Sequence, residues 1–64
     1  MLMTDEEMLT LTEVAERLHV HIDTVRRWVR EGELPAYQLG ARAGYRVKMS
    51  DFRAFLEKRY RQGT

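Results

Sequence analysis

Cysteine is absent from this 64-residue chain, so no disulfide can brace it and no thiolate is available to hold a structural zinc. Long hydrophobic runs are absent as well. The N-terminal MLMTDEEML is acidic and interrupted, which excludes a signal peptide or a membrane span at that end. The chain carries no recognisable Ser/His/Asp set and no glycine-rich phosphate loop. At this length only about 60% of the surface of the unfolded chain is buried on folding, which leaves no mass for an enzyme pocket. These absences describe one small domain, held by packing alone, with no cofactor, no metal and no membrane partner, and they read as a cytoplasmic protein.

Charge is present but unevenly placed. The formal net charge is +1, yet residues 1–16 carry Asp5, Glu6, Glu7, Glu13 and Glu16 and no Lys or Arg. All eleven basic side chains lie in residues 17–64, against five acidic ones. A phosphate-bearing partner suits such a body, although charge alone does not separate it from an ordinary solvated surface.

Periodicity supplies the architecture. Thr10 and Glu13 form a capping-box pattern, and Leu11, Val14, Ala15 and Leu18 follow at helical spacing, predicting a first helix over residues 11–18. After the short turn His19-Val20-His21, the stripe resumes at Ile22, Val25, Trp28 and Val29 and stops at Gly32, predicting a second helix over 22–31. Two helices joined by so short a corner outline a helix-turn-helix. Trp28 falls on the apolar stripe, which assigns it to the core rather than to a base-stacking platform. Beyond Pro35, residues 36–39 and 45–48 read as short strands around a glycine-flanked turn. Phe52, Phe55, Leu56 and Tyr60 then recur at helical spacing, with Lys58, Arg59 and Arg61 in the last turn, predicting a third helix over 49–61. The fold class is thus mainly α with a small β-hairpin. Residues 1–8 read as a flexible acidic segment, frayed over 1–6, residues 9–61 as the domain, and residues 62–64 as a tail.

The order LTEVAERL, VHIDTVRRWVREGELPAY, GYRV and DFRAFL, spanning Leu9 to Leu56, resembles the small winged-helix modules of the MerR and excisionase type. No single piece is specific; their order and spacing are. The resemblance implies a winged helix-turn-helix whose second helix enters the major groove and whose hairpin, the wing, grips the flanking backbone or minor groove. It implies binding to double-stranded DNA in the regulation of transcription or of site-specific recombination. Two positions depart from the pattern. Such modules usually read Leu-Gly-Val-Ser in the corner, where this chain has Leu18-His19-Val20-His21. A left-handed His19 would cost about 1–2 kcal/mol relative to glycine, and His21 is a weaker helix cap than serine.

Within that frame the candidate DNA-binding residues are His21, Thr24, Arg26, Arg27 and Arg30 around the second helix, and Arg42, Tyr45, Arg46 and Lys48 in the wing. Arg26 and Arg27 match positions where the family places backbone-binding groups, and a guanidinium can also read guanine O6 and N7. The bland alternative is a solvated face, with Arg27 paired to Glu31 one turn on. Thr24 lies in the half of the helix that approaches base edges and His21 at its entry. Arg42, between two alanines at the tip, suits a narrow minor groove. Arg46 in GYR matches the wing arginine that meets the sugar-phosphate backbone. Strand alternation exposes Arg46 and Lys48 if Tyr45 and Val47 are buried. Asp23 is less welcome near phosphates; a carboxylate can accept from cytosine N4, but Asp23 reads first as a stabiliser of the helix N-terminus. The motif of His19, His21 and Asp23 invites a metal, but alternate residues do not share a helix face and no further His or Cys exists.

A single module reads too little DNA to bind tightly alone, so self-association on DNA is expected, through the N-terminal residues or the end of the third helix. No dimerisation helix or sensor follows the third helix in this sequence, an expectation that favours a small architectural protein, with a recombinase or RNA polymerase as a protein partner. A different class of function, a protein–protein adaptor on the same scaffold without DNA binding, uses the same elements.

Overall fold

Thr10 begins the ordered helical framework, and the reason is local. Its hydroxyl accepts from the Glu13 N–H at 3.0 Å while the Glu13 carboxylate accepts from the Thr10 N–H at 2.8 Å, a completed capping box. In the computed structural model, which describes residues 7–60, helix α1 (Leu11–Leu18) follows this cap and α2 (Ile22–Arg30) follows the corner. The corner adopts the left-handed conformation that glycine would take without strain: His19 lies at φ 57°, ψ 43°, and Val20 N–H closes onto the Ala15 carbonyl at 3.0 Å. Replacing His19 with glycine removes the left-handed penalty but adds backbone entropy to the unfolded chain. The expected net effect is a stabilisation of about 0.5–1 kcal/mol, a rise of a few degrees in the thermal midpoint followed by circular dichroism.

Helix α2 ends at a turn in which Gly32 takes φ 80°, and the N–H groups of Glu33 and Leu34 both donate to the Trp28 carbonyl. That turn drives Leu34 into the core, where it is fully buried. The wing consists of β2 (Tyr37–Gln38) and β3 (Tyr45–Lys48), joined by a turn in which Gly44 has φ 76°. Helix α3 (Met49–Arg59) follows β3 without a break.

A third strand precedes the helices. Met8–Thr10 forms β1, antiparallel to β3 in the register Met8 to Lys48, Leu9 to Val47 and Thr10 to Arg46, so the sheet order is β1-β3-β2. The domain therefore starts before Leu9, with Met8 in the sheet rather than in a flexible N-terminal segment, and the Glu7 carbonyl accepts from Met49 N–H at 2.9 Å. The fraying expected of residues 1–6, the tail at 62–64 and Arg61 lie outside the described residues. The sheet places Leu9 and Val47 side by side beneath the helices, completing a core of Leu9, Val14, Ala15, Val25, Trp28, Leu34, Val47, Phe52 and Phe55.

Helix α3 is fixed by its aromatic face. Phe55 meets Trp28 at 5.0 Å between ring centroids with the rings inclined at 50°. Arg59 caps that contact, its guanidinium 4.8 Å from the Trp28 ring centre and 2.7 Å from the Glu33 carboxylate. Tyr60, read with the apolar stripe, is 46% exposed instead, because α3 ends at Arg59 before the stripe turns inward again. The architecture is a winged helix-turn-helix: three helices, a corner between the first two, and a β-hairpin wing. Among the described residues, no helix is long and apolar enough to cross a membrane.

Candidate nucleic-acid interface

Helix α2 buries Val25 and Trp28, and its period fixes what the opposite side must show. Asp23, Arg26, Arg27 and Arg30 fall at i, i+3, i+4 and i+7 and are all exposed, forming one solvent-facing stripe with a carboxylate at its start and three guanidinium groups after it. Thr24 lies off this stripe, towards the Trp28 side, and is half-buried. Arg26 is paired: its Nη1 is 3.2 Å from Asp23 Oδ1. Among the described residues no carboxylate pairs with Arg27 or Arg30, and the ion pair between Arg27 and Glu31 does not form. Two strong cations thus stand uncompensated on an exposed helix face.

His21 caps α2. Its Nδ1 accepts from the Asp23 N–H at 3.1 Å, so histidine performs the task usually given to serine. Accepting at Nδ1 leaves Nε2, on the exposed edge of the ring, as the nitrogen that can donate outward.

The wing meets this face through Tyr45. Arg26, Tyr45 and Arg46, with Thr10, Thr12 and Ile22, line an open cleft of about 440 Å³ between helix and wing. A second cleft of about 510 Å³ lies along α2, lined by Leu11, Arg26, Val29, Arg30 and Tyr45. Tyr45 walls both. Its position corrects the expectation from strand alternation: Val47 is fully buried, but Tyr45 is 43% exposed while Arg46 and Lys48 are half-buried. Pairing with β1 stops at Arg46, so Tyr45 overhangs the end of the core face and is supported by β2 alone, opposite Gln38. The Arg46 stem folds back so that Nη1 donates to the carbonyls of Ala43 at 2.7 Å and Tyr45 at 3.2 Å. These two bonds anchor the guanidinium to the wing turn.

Arg42 projects from the tip, exposed and without a partner among the described residues. Lys48 does not join the clefts: at the far end of β3, its ammonium lies 5.4 Å from the Tyr37 ring centre. The structure therefore gathers Arg26, Arg30, Tyr45 and Arg46 into one continuous surface, with Arg27 and His21 on its helix side and Arg42 at its wing end. Sequence reasoning missed the contributions of Thr10 and Thr12, which reach the cleft because α1 starts beside the wing, and it did not pair Asp23 with Arg26. The signal for Asp23 was present in its spacing of three from Arg26.

Residues 8–60, nearly all of the described structure, match the helix-turn-helix domain family. The chain belongs to that family. This helix-turn-helix domain is also similar to the transcriptional repressor DcmR of Methylorubrum extorquens, at 34% identity over 53 residues. That match takes in 83% of the present chain and 20% of the repressor, so the chain spans about a fifth of the length of this relative. No solved structure matches significantly.

Proposed function

We propose that this helix-turn-helix domain binds double-stranded DNA sequence-specifically, with α2 in the major groove and the wing on the adjacent backbone or minor groove, and that it regulates transcription. The observation that carries the reading is the exposed stripe of Arg26, Arg27 and Arg30, continued by Arg46 across the clefts walled by Tyr45. The guanidinium groups of Arg27 and Arg30, without carboxylate partners on a convex helix, suit phosphates, and Arg26 stands beside them within reach of base edges. Arg27 and Arg30 serve as phosphate contacts, Arg46 as the wing's backbone grip and Arg42 as its minor-groove probe. His21 donates from Nε2 to a phosphate at the helix entry, Thr24 approaches a base edge, and Lys48 adds positive charge behind the wing.

Regulation of transcription is supported by the similarity to a repressor. The excisionase-type role, in which modules line up and bend DNA for recombination, shares the same surface and differs in site layout. Selection from a random DNA pool separates them: an inverted pair of half-sites marks a dimeric regulator, and repeated direct sites mark an array. Such work takes place on cytoplasmic DNA, by a non-enzymatic chain that associates with its own kind along the duplex.

Titration of random duplex DNA at rising salt tests the binding itself. Affinity should fall linearly on logarithmic axes, with a slope of about 0.9 for each phosphate neutralised, and Arg27→Ala should reduce that slope by about one unit. Undetectable binding at low salt would refute DNA binding.

A further inference from the structure

Asp23 sits oddly in an interface built for phosphate. It is the one carboxylate on the exposed stripe of α2, at the N-terminal end that approaches base edges in helix-turn-helix docking, and its side chain is 73% exposed. A helix N-terminus is stabilised by any nearby carboxylate, which accounts for the charge but not for its hydrogen bonds. Its two oxygens are used unequally. Oδ1 accepts from Arg26 Nη1 at 3.2 Å. Oδ2 has only His21 Nδ1 nearby, at 3.7 Å, and that nitrogen is already accepting from the Asp23 N–H. Oδ2 is therefore an acceptor with no donor among the described residues, on a side chain open to solvent.

The same contact divides the arginines. Arg27 and Arg30 carry uncompensated charge and suit the phosphate backbone. The charge of Arg26 is already balanced by Asp23, which reduces its value for a phosphate, while the hydrogen bond restrains its guanidinium fork beside the cleft shared with Tyr45 and Arg46. A restrained fork suits the O6 and N7 edge of guanine, and an open carboxylate oxygen suits the amino group of cytosine.

We infer that Asp23 and Arg26 act as one base-reading unit, in which Asp23 holds the Arg26 fork for guanine and presents Oδ2 to a cytosine amino group, making Asp23 the specificity-determining residue of the domain. The inference rests on the DNA-binding reading above. A bare carboxylate also repels phosphate, so Asp23 lowers affinity for unrelated duplexes and raises discrimination.

The test compares wild type, Asp23→Ala, Asp23→Asn and Arg30→Ala by selection from a randomised duplex pool, and by affinity for the selected and the random duplexes. Wild type should enrich a G·C step at the position facing the start of α2. Asp23→Ala should bind random duplex a few-fold more tightly while its preference for the selected duplex over random falls about tenfold. Asp23→Asn, which keeps the side-chain shape and adds a donor, should shift the preference at that position from cytosine towards adenine. Arg30→Ala should weaken binding to both duplexes alike. Circular dichroism melts of the Asp23 variants within a few degrees of wild type separate these effects from loss of fold, and Asp23→Asn carries the test if the alanine variant melts early. If both Asp23 variants select the same sequence as wild type, the inference is overturned while DNA binding stands. Failure of wild type to bind any duplex at low salt refutes the underlying reading itself.

Discussion

Replacing Arg26 and Arg27 together with alanine is expected to abolish specific DNA binding at physiological salt while leaving the domain folded. Both side chains lie on the exposed face of α2, and neither is part of the core of Val25 and Trp28. Contacts of this kind contribute about 1–3 kcal/mol each, so the double variant should lose at least about thirtyfold in affinity for a selected duplex. The two losses differ in character. Without Arg27, binding weakens alike for every sequence and the salt slope becomes shallower by about one unit. Without Arg26, the loss falls mainly on the selected sequence. Fluorescence anisotropy with selected and random duplexes at two or more salt concentrations measures both. Unchanged affinity in the double variant would remove α2 from the interface.

Trp28→Ala should act through the fold instead. Trp28 is 3% exposed, stacks at an incline on Phe55 and supports the guanidinium of Arg59, so α2 and α3 lose their shared contact when it is removed. Truncating a buried aromatic to alanine costs about 3–5 kcal/mol. A domain of this size has roughly 3–10 kcal/mol to lose, at 0.05–0.15 kcal/mol per residue. The thermal midpoint should therefore fall by roughly 15 °C or more, or the cooperative transition should disappear, when followed by circular dichroism. Trp28→Phe should recover most of that loss. The buried Nε1 has no hydrogen-bond partner among the described residues, so phenylalanine sacrifices packing volume but no hydrogen bond. A Trp28→Ala variant that melted like wild type would contradict the core described here.

The same residues show what could be read from sequence and what could not. The helix-turn-helix was legible because its signals are local: the capping box at Thr10 and Glu13, stripes of period 3.6, and a glycine after α2. Even the departure at the corner was legible, since the resemblance puts a glycine where this chain has His19, and His19 adopts the left-handed conformation that such a position implies. Strand β1 was not. Three residues are too few to show alternation, and Met8–Thr10 is a strand only because β3, nearly forty residues later, offers it an edge. Leu34 was missed for a related reason, since it is buried by a turn and belongs to no periodic segment.

At the candidate interface the identities of the cations were legible and their environments were not. Alternation along β3 holds for Val47 but not for Tyr45, because the core face ends where β1 ends. Arg46 could be named as a wing arginine, yet its anchoring to Ala43 and Tyr45 depends on the tightness of the turn. The division of the α2 arginines into one paired and two unpaired groups required the side-chain contact with Asp23.

The central claim is that α2 and the wing form one DNA-binding surface. Backbone amide NMR of the domain, titrated with a selected duplex, tests it residue by residue. The account predicts that the largest shifts cluster at residues 21–30 and 40–46, with the groove of Gly32, Glu33, Phe55, Lys58 and Arg59 little affected. Shifts concentrated in that groove, with α2 and the wing unchanged, would contradict it.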